Sequence, residues 1–182
     1  MPTTTWAVTP TRLPLVARRC HRCPAQRSRA SGRFRLNANG RLLDAWLLVL
    51  CTGCGDTANL TVFERTHVRS VDPRLLDRLH GNDPDLVSEL LRHPGTAHRN
   101  RFSLDWDGAW SLDTGGTVEP CDSLEIAVEN PARIPVRPVR LLAEGLGLPR
   151  AAVERLVADG RIVASVDLRS KRSTGFAVLL KP

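Results

Sequence analysis

The sequence predicts an α+β fold in three consecutive parts: an N-terminal antiparallel β ribbon, a mixed α/β middle, and a C-terminal helix–helix–β-hairpin module. Three observations support this prediction. Two Cys-x-x-Cys pairs flank a hairpin-like spacer, two Asp-Pro helix starts open the middle, and helical apolar spacing followed by two strand-like runs ends the chain. We place the parts at residues 1–71, 72–131 and 132–182.

The two cysteine pairs predict a metal site in the first part. They are Cys20/Cys23 and Cys51/Cys54. Each turn brings two thiolates together, and four thiolates form a closed tetrahedral zinc site with no open coordination position, so the ion would be structural. Four thiolates also suit iron. We favour one structural zinc ion because nothing else in the sequence indicates electron transfer; redox pairs or unrelated buried thiols are the remaining alternatives.

The spacer between the pairs has the pattern of a β-hairpin. Residues 34–37 and 42–50 are strand-like runs, and Asn39-Gly40 is a preferred pair for a two-residue turn. A hairpin that returns the chain from one pair to the other is what a zinc ribbon requires. Residues 58–71 predict a third strand, and residues 1–19 predict an extended arm or edge strand packed on the ribbon.

The middle part predicts two short helices followed by strands. Asp72-Pro73 and Asp83-Pro84 are N-cap and first-turn pairs, and the helices end at Gly81 and before Pro94. Alternation over residues 102–110 and 123–128 predicts two strands.

The last part predicts a proline-rich linker, two helices and two strands. Pro131, Pro135 and Pro138 mark the linker. Helical spacing follows from residue 139, Pro149 starts a second helix, and Gly160 ends it. Residues 162–166 and 175–180 are strand-like and flank a basic loop.

The net charge of +7 is unevenly distributed. Residues 1–55 carry nine Arg and one acidic residue, residues 56–131 carry seven basic and fourteen acidic residues, and residues 132–182 carry ten basic and four acidic residues. Two basic ends favour a polyanionic partner, because cations gain affinity by releasing counterions from phosphates.

The C-terminal segment resembles the S4-type RNA-binding domain. The matching stretches are residues 139–142, 146–153 and 156–162, although Pro149 and residues 165–167 depart from that family's pattern. In that family the second helix and the hairpin present basic residues to structured RNA. The resemblance implies the following RNA-binding residues: Arg140, Arg150, Arg155, Arg161, Arg169, Lys171 and Arg172.

The chain as a whole resembles DUF1062, a family of bacterial proteins without an assigned activity. The resemblance rests on Trp6, the two cysteine pairs, residues 31–40, residues 43–47 and Asn82-Asp83, and it extends over nearly the full length. It implies a bacterial source and no mechanism.

These observations predict a non-catalytic zinc protein that binds structured RNA, ribosomal or transfer RNA, with RNA favoured over DNA. One alternative is a protein–protein interaction module with a structural zinc site. Another is a small enzyme with a site in the acidic middle, built from Asp105, Asp107, Asp113, His93 and His98.

No small-molecule substrate, signal sequence or membrane span is evident in the sequence. Since metal would occupy four of the five cysteines, we expect a cytoplasmic protein, with Cys121 as a small buried side chain.

Overall fold

The computed structural model describes residues 2–116 and 123–182, which form two compact units. The internal unit is Leu13–Asp105, and the terminal unit joins the chain up to Arg12 with Trp106–Pro182. This grouping differs from three consecutive parts because the first strand, β1 (Thr3–Pro10), pairs with strands from the second half of the chain. Cys121 lies outside the described residues.

Within Leu13–Asp105, all of which the structure describes, five strands form one antiparallel sheet. They are β2 (Leu15–Ala17), β3 (Arg27–Asn39), β4 (Leu42–Cys51), β5 (Thr57–His67) and β6 (Ser103–Asp105). Their order is β5-β4-β3-β2-β6. The predicted hairpin is thus present as β3 and β4, but Asn39 pairs with Leu42, so the turn residues are Gly40-Arg41 rather than Asn39-Gly40. Gly40 takes the left-handed conformation that this turn requires (φ 59°).

Three helices follow β5 and a short 3₁₀ turn: α1 (Pro73–His80), α2 (Pro84–Arg92) and α3 (Pro94–Asn100). The two predicted N-caps are confirmed, because the side chains of Asp72 and Asp83 accept backbone N–H groups of the first helical turns. Alternate residues of β4 face the helices and build the core of the unit. This core contains Val16, Leu47, Val49, Leu60, Val87, Leu91 and Phe102.

The third helix was not predicted, because Pro94 was interpreted only as the end of α2. Pro94 instead starts α3, which protects the edge strand β5. The buried Asn100 amide accepts from Thr61 N–H at 2.6 Å and donates to Thr61 C=O at 2.9 Å. The side chain therefore takes the place of a neighbouring strand at this edge.

The described part of the terminal unit contains a mixed five-stranded sheet in the order β7-β1-β8-β10-β9. Its further strands are β7 (Trp110–Asp113), β8 (Leu124–Glu129), β9 (Ile162–Ala164) and β10 (Phe176–Leu180). Only the β1–β8 pair is parallel among these described strands. Two helices, α4 (Pro138–Leu146) and α5 (Arg150–Ala158), precede β9, which is the predicted order of elements.

Three sequence-based predictions need correction. The predicted N-terminal arm is not one element of the ribbon, because β1, with fully buried Trp6 and Val8, pairs in the sheet of the terminal unit, whereas β2 pairs in the sheet of the internal unit. Residues 102–110 do not form one strand, since a turn closed by Ala109 N–H and Trp106 C=O separates β6 from β7. Asp105 and Asp107, which a single strand over residues 102–110 would place on the same face, are therefore separated, because Asp105 ends β6 and Asp107 lies in the turn.

The proline-rich stretch is also not a free linker. The Asn130 side chain bonds to both backbone groups of Ile134, at 2.8 and 2.9 Å. Ile134 and Val136 are buried, and Val136 exchanges two backbone hydrogen bonds with Arg172. The side-chain amide thus satisfies both backbone groups of buried Ile134 where no regular strand or helix does so.

None of the described helices is both long enough and apolar enough to cross a bilayer.

Candidate functional site

The four predicted ligands come together at one end of the internal sheet. Cys51 ends β4, Cys54 follows in the next turn, and Cys20 and Cys23 lie in the loop between β2 and β3. The Sγ atoms of Cys20 and Cys54 are 3.7 Å apart, those of Cys23 and Cys51 are 3.5 Å apart, and all four lie within 4.8 Å of one another. A disulfide needs a separation of about 2.05 Å, so these are free thiols.

The sulfur separations fit a tetrahedral metal. With metal–sulfur bonds of about 2.3 Å, the edges of a tetrahedron of four thiolates are about 3.8 Å long. The cluster could therefore hold a metal ion with little movement of the sulfur atoms.

Backbone groups of both turns are arranged to favour thiolates. Arg22 N–H points to Cys20 Sγ at 3.3 Å, and Gly53 N–H points to Cys51 Sγ at 3.4 Å. The N–H groups of Cys54 and Gly53 lower the pKa of the Cys51 thiol to about 6.

The crowding of the thiols has the opposite effect on Cys54. Asp56 N–H lowers its pKa, but the neighbouring thiols, with Cys23 first, and burial outweigh this and raise the pKa of Cys54 to about 12. Four thiolates this close repel one another without a cation, so a bound cation is what would allow all four to ionise.

The second Cys-x-x-Cys turn has a steric reason for its glycine. A Cβ on Gly53 would lie 2.9 Å from Ala25 Cβ and 3.2 Å from Cys23 Sγ. The close approach of this turn to the other therefore needs a residue without a side chain.

In the terminal unit, several of the basic residues line one cavity of about 420 Å³. Among the predicted RNA-binding residues these are Arg140, Arg150 and Arg169, whereas Arg155, Arg161, Lys171 and Arg172 do not line it. Sequence reasoning missed a further arginine, Arg137. No local pattern in the sequence indicates this role, because the packing of α4 and α5 is what brings Arg137 to the cavity.

The cavity has charged and apolar parts. Four arginines and one carboxylate, Glu154, are its charged lining residues, and its apolar residues are Val139, Val157, Ala158 and Leu168. Arg150 pairs with Glu154 at 2.9 Å, and Arg140 pairs with Asp107 at 3.2 Å while its guanidinium lies 5.8 Å from the Trp110 ring centroid. Within residues 2–116 and 123–182, Arg137 and Arg169 form no ion pair.

A hydrogen-bonded turn positions Arg169. The Asp167 carboxylate accepts Arg169 N–H at 2.9 Å, and this bond, together with the Ser170 hydroxyl, holds the pKa of Asp167 below its usual value. Leu168 between them is buried and fixes the loop against the unit.

The acidic residues considered for an enzyme site are divided between the units. Asp105 belongs to the internal unit and pairs with Arg27 at 2.7 Å, whereas Asp107 and Asp113 belong to the terminal unit. His93 and His98 are exposed residues of the internal unit.

The geometry thus defines a protein with a cluster of four cysteines that could hold a metal ion in one unit and an arginine-lined cavity in the other. The family model for DUF1062, a protein of unknown function, matches residues 36–168, and the chain belongs to that family. The match includes Cys51 and Cys54 and begins after the first cysteine pair. No curated protein and no solved structure matches the chain, so the resemblance to S4-type domains stays a prediction.

Proposed function

We propose that this protein is a non-catalytic zinc protein that binds structured RNA, ribosomal or transfer RNA, through the basic surface of α4, α5 and the loop before β10. The observation that carries the RNA proposal is the convergence of Arg137, Arg140, Arg150 and Arg169 on one cavity. These guanidinium groups come from two helices and a loop. Each presents its N–H donors in a fork that matches the oxygens of a phosphate.

RNA is favoured by the character of this surface. Double-stranded RNA is recognised by shape and by phosphate and 2′-hydroxyl contacts, which arginines on helices and loops supply. The chain has no Tyr and four Phe, so extensive stacking on single-stranded bases is less suited to it.

The metal proposal rests on the four sulfur ligands alone. Four thiolates are a ligand set for zinc in closed structural sites, where the ion links two turns and takes no part in chemistry. In this chain the ion would join the β2–β3 loop to the end of β4 and so fix one end of the internal sheet.

Element analysis of the purified protein tests the metal proposal. We expect one zinc ion per chain and no visible absorption, with zinc lost from a Cys51→Ser/Cys54→Ser variant. Stoichiometric iron with the colour of a sulfur-to-iron charge transfer would show that the zinc assignment is wrong.

Crosslinking of the tagged protein to RNA in growing cells, followed by sequencing, tests the RNA proposal. We expect enrichment of ribosomal or transfer RNA that is lost in an Arg140→Gln/Arg150→Gln/Arg169→Gln variant, which changes three of the arginines that line the cavity. The matched control is Arg29→Gln/Arg35→Gln/Arg41→Gln, which removes the same charge from the internal unit. Absence of RNA above background, or equal loss in both variants, would contradict the proposal.

A further inference from the structure

The cavity of the terminal unit is larger than an ion needs. Its volume of about 420 Å³ lies in the range of about 300–1,000 Å³ that small-molecule sites occupy. Buried Val139 and Leu168, with Val157, give it an apolar wall beside the arginines. A ligand that fills it has an anionic head and an uncharged body.

The arginines that line the cavity carry more positive charge than their carboxylate partners balance. A ligand with more than one negative charge therefore fits the cavity. Arg140 and Arg150 already have carboxylate partners, whereas among the described residues Arg137 forms no ion pair and Arg169 interacts with the Asp167 carboxylate only at longer range. A phosphate monoester carries a charge of about −1.5 to −2 at neutral pH and has three terminal oxygens. A carboxylate offers two oxygens in one plane, so it cannot accept from arginines on several sides as well.

The concave shape of the cavity also favours a phosphate at the end of an RNA chain over a phosphate within the chain. A backbone phosphodiester has one charge, two non-bridging oxygens and a chain that must leave the cavity on both sides. A terminal phosphate needs only one exit, and its nucleoside has the flat apolar faces that the aliphatic wall of the cavity can contact.

We infer that this cavity, lined by Arg137, Arg140, Arg150 and Arg169, binds a nucleoside 5′-phosphate, either as a free mononucleotide or as the 5′ end of an RNA. Arg137 and Arg169 contact the phosphate, and the wall of Val139, Val157 and Leu168 contacts the nucleoside. The inference uses the same basic surface as the proposed RNA binding but makes a separate claim, because a free mononucleotide requires no RNA.

Binding measurements with the full-length protein test this assignment. The probes are AMP, adenosine, and one structured RNA prepared with a 5′-phosphate or a 5′-hydroxyl. We expect AMP to bind at least about tenfold tighter than adenosine, since adenosine lacks the charged group that the arginines contact. Nuclear magnetic resonance of the amide groups should place the AMP-induced shifts at Val139, Val157 and Leu168.

Two double variants separate the cavity from the rest of the terminal unit. Arg137→Gln/Arg169→Gln should abolish the preference for AMP over adenosine, whereas Arg12→Gln/Lys181→Gln removes the same charge elsewhere on the terminal unit and should retain it. All four side chains are exposed, so circular dichroism should show both variants folded.

The two sources of the phosphate give different results with RNA. A preference for 5′-phosphorylated RNA that disappears in the Arg137/Arg169 variant identifies the RNA end as the ligand, and AMP binding without that preference identifies a free mononucleotide. AMP binding without RNA binding supports the inference and contradicts the proposed function. RNA binding that ignores the 5′-phosphate, with no AMP binding, overturns the inference and leaves the proposed function standing.

Discussion

Two glycines show how single residues determine the packing of this protein, and the first is Gly53 in the four-cysteine cluster. Its N–H donates to Cys51 Sγ, and any Cβ there would press on Ala25 and Cys23 Sγ. The residue therefore matters both for the hydrogen bond to a thiolate and for the distance between the two cysteine turns.

We predict that Gly53→Ala weakens metal binding by about tenfold, which is the size of effect that outer-shell changes have at metal sites. The rate of metal transfer to a chelator measures it. Arg22→Ala is the control, since its exposed side chain can be removed while its N–H to Cys20 Sγ remains. Equal rates for Gly53→Ala and the wild type would show that the turns tolerate the added methyl group.

The second glycine, Gly145, lies in α4 where the helix passes over Trp6. A Cβ at this position would lie 2.4 Å from two atoms of the indole ring, and Trp6 is fully buried, so the ring has no room to move away. In an exposed helix, alanine would be more favourable than glycine by about 1 kcal/mol. Here overpacking costs about 1–3 kcal/mol and opposes that gain.

We predict that Gly145→Ala lowers the free energy of unfolding of the terminal unit by up to about 2 kcal/mol, because the clash outweighs the helix propensity. Urea denaturation followed by Trp fluorescence measures it. Glu144→Ala, at the adjacent exposed position, should change the free energy by less than about 0.5 kcal/mol. A Gly145→Ala protein more stable than the wild type would mean that α4 can shift away from Trp6.

Among the elements, α2 is fixed at its start by a small polar network. Asp83 accepts the N–H groups of Asp85 and Leu86 and pairs with Arg78, which also holds Glu89 by two hydrogen bonds of 2.9 and 3.0 Å. Preceding Asp83, Asn82 accepts Phe34 N–H at 2.8 Å, beside the bulge in β3. The Asn82-Asp83 pair therefore joins the helices to the sheet. This structural role accounts for the pair in the DUF1062 resemblance without any role in binding.

We predict that Asp83→Ala lowers the melting temperature of the internal unit by several degrees, and that Asp83→Asn, which keeps a capping oxygen, lowers it less. Arg78 holds the pKa of Asp83 and of Glu89 below their ordinary values. Both groups thus stabilise the fold fully above those values and lose this effect as pH falls through their folded pKa values.

The difference in melting temperature between wild type and Asp83→Asn should accordingly be constant near neutral pH and become smaller below about pH 4. Thermal circular dichroism at a series of pH values measures it. Asp85→Asn, which keeps Asp83 intact, provides the comparison. A difference that grows on acidification would contradict the assigned direction of the pKa shift.

The elements also show which signals in the sequence were sufficient. Asp-Pro helix starts and Cys-x-x-Cys turns are local: the residue types predict the caps, and the spacing of the cysteines predicts the sulfur cluster. The missed helix α3 depends on Asn100 reaching Thr61, thirty-nine residues away, and Arg137 joins the cavity only because α4 and α5 pack side by side. Such contacts are set by tertiary packing, which neither periodicity nor turn chemistry records.

At the scale of the whole molecule, the chain crosses from one unit to the other and back. Residues 3–10 form β1, which pairs with β7 on one side and in parallel with β8 on the other, although β8 begins more than a hundred residues later. A division of the sequence into consecutive parts cannot detect this pairing, because it assumes that residues close together in the sequence belong to the same unit. The internal unit is accordingly inserted between two pieces of the terminal unit.

This topology predicts that residues 106–182 do not fold alone. Without β1 the sheet loses the strand between β7 and β8, and fully buried Trp6 and Val8 leave an unfilled core. A fragment of residues 106–182 should give a poorly dispersed amide spectrum, whereas residues 1–12 joined to it by a flexible linker should restore dispersion. The same fusion with Trp6→Ala is the control that removes the side chain but keeps the strand, and it should be markedly less stable. A folded 106–182 fragment would contradict this prediction, because it would show that the other strands form a stable sheet without β1.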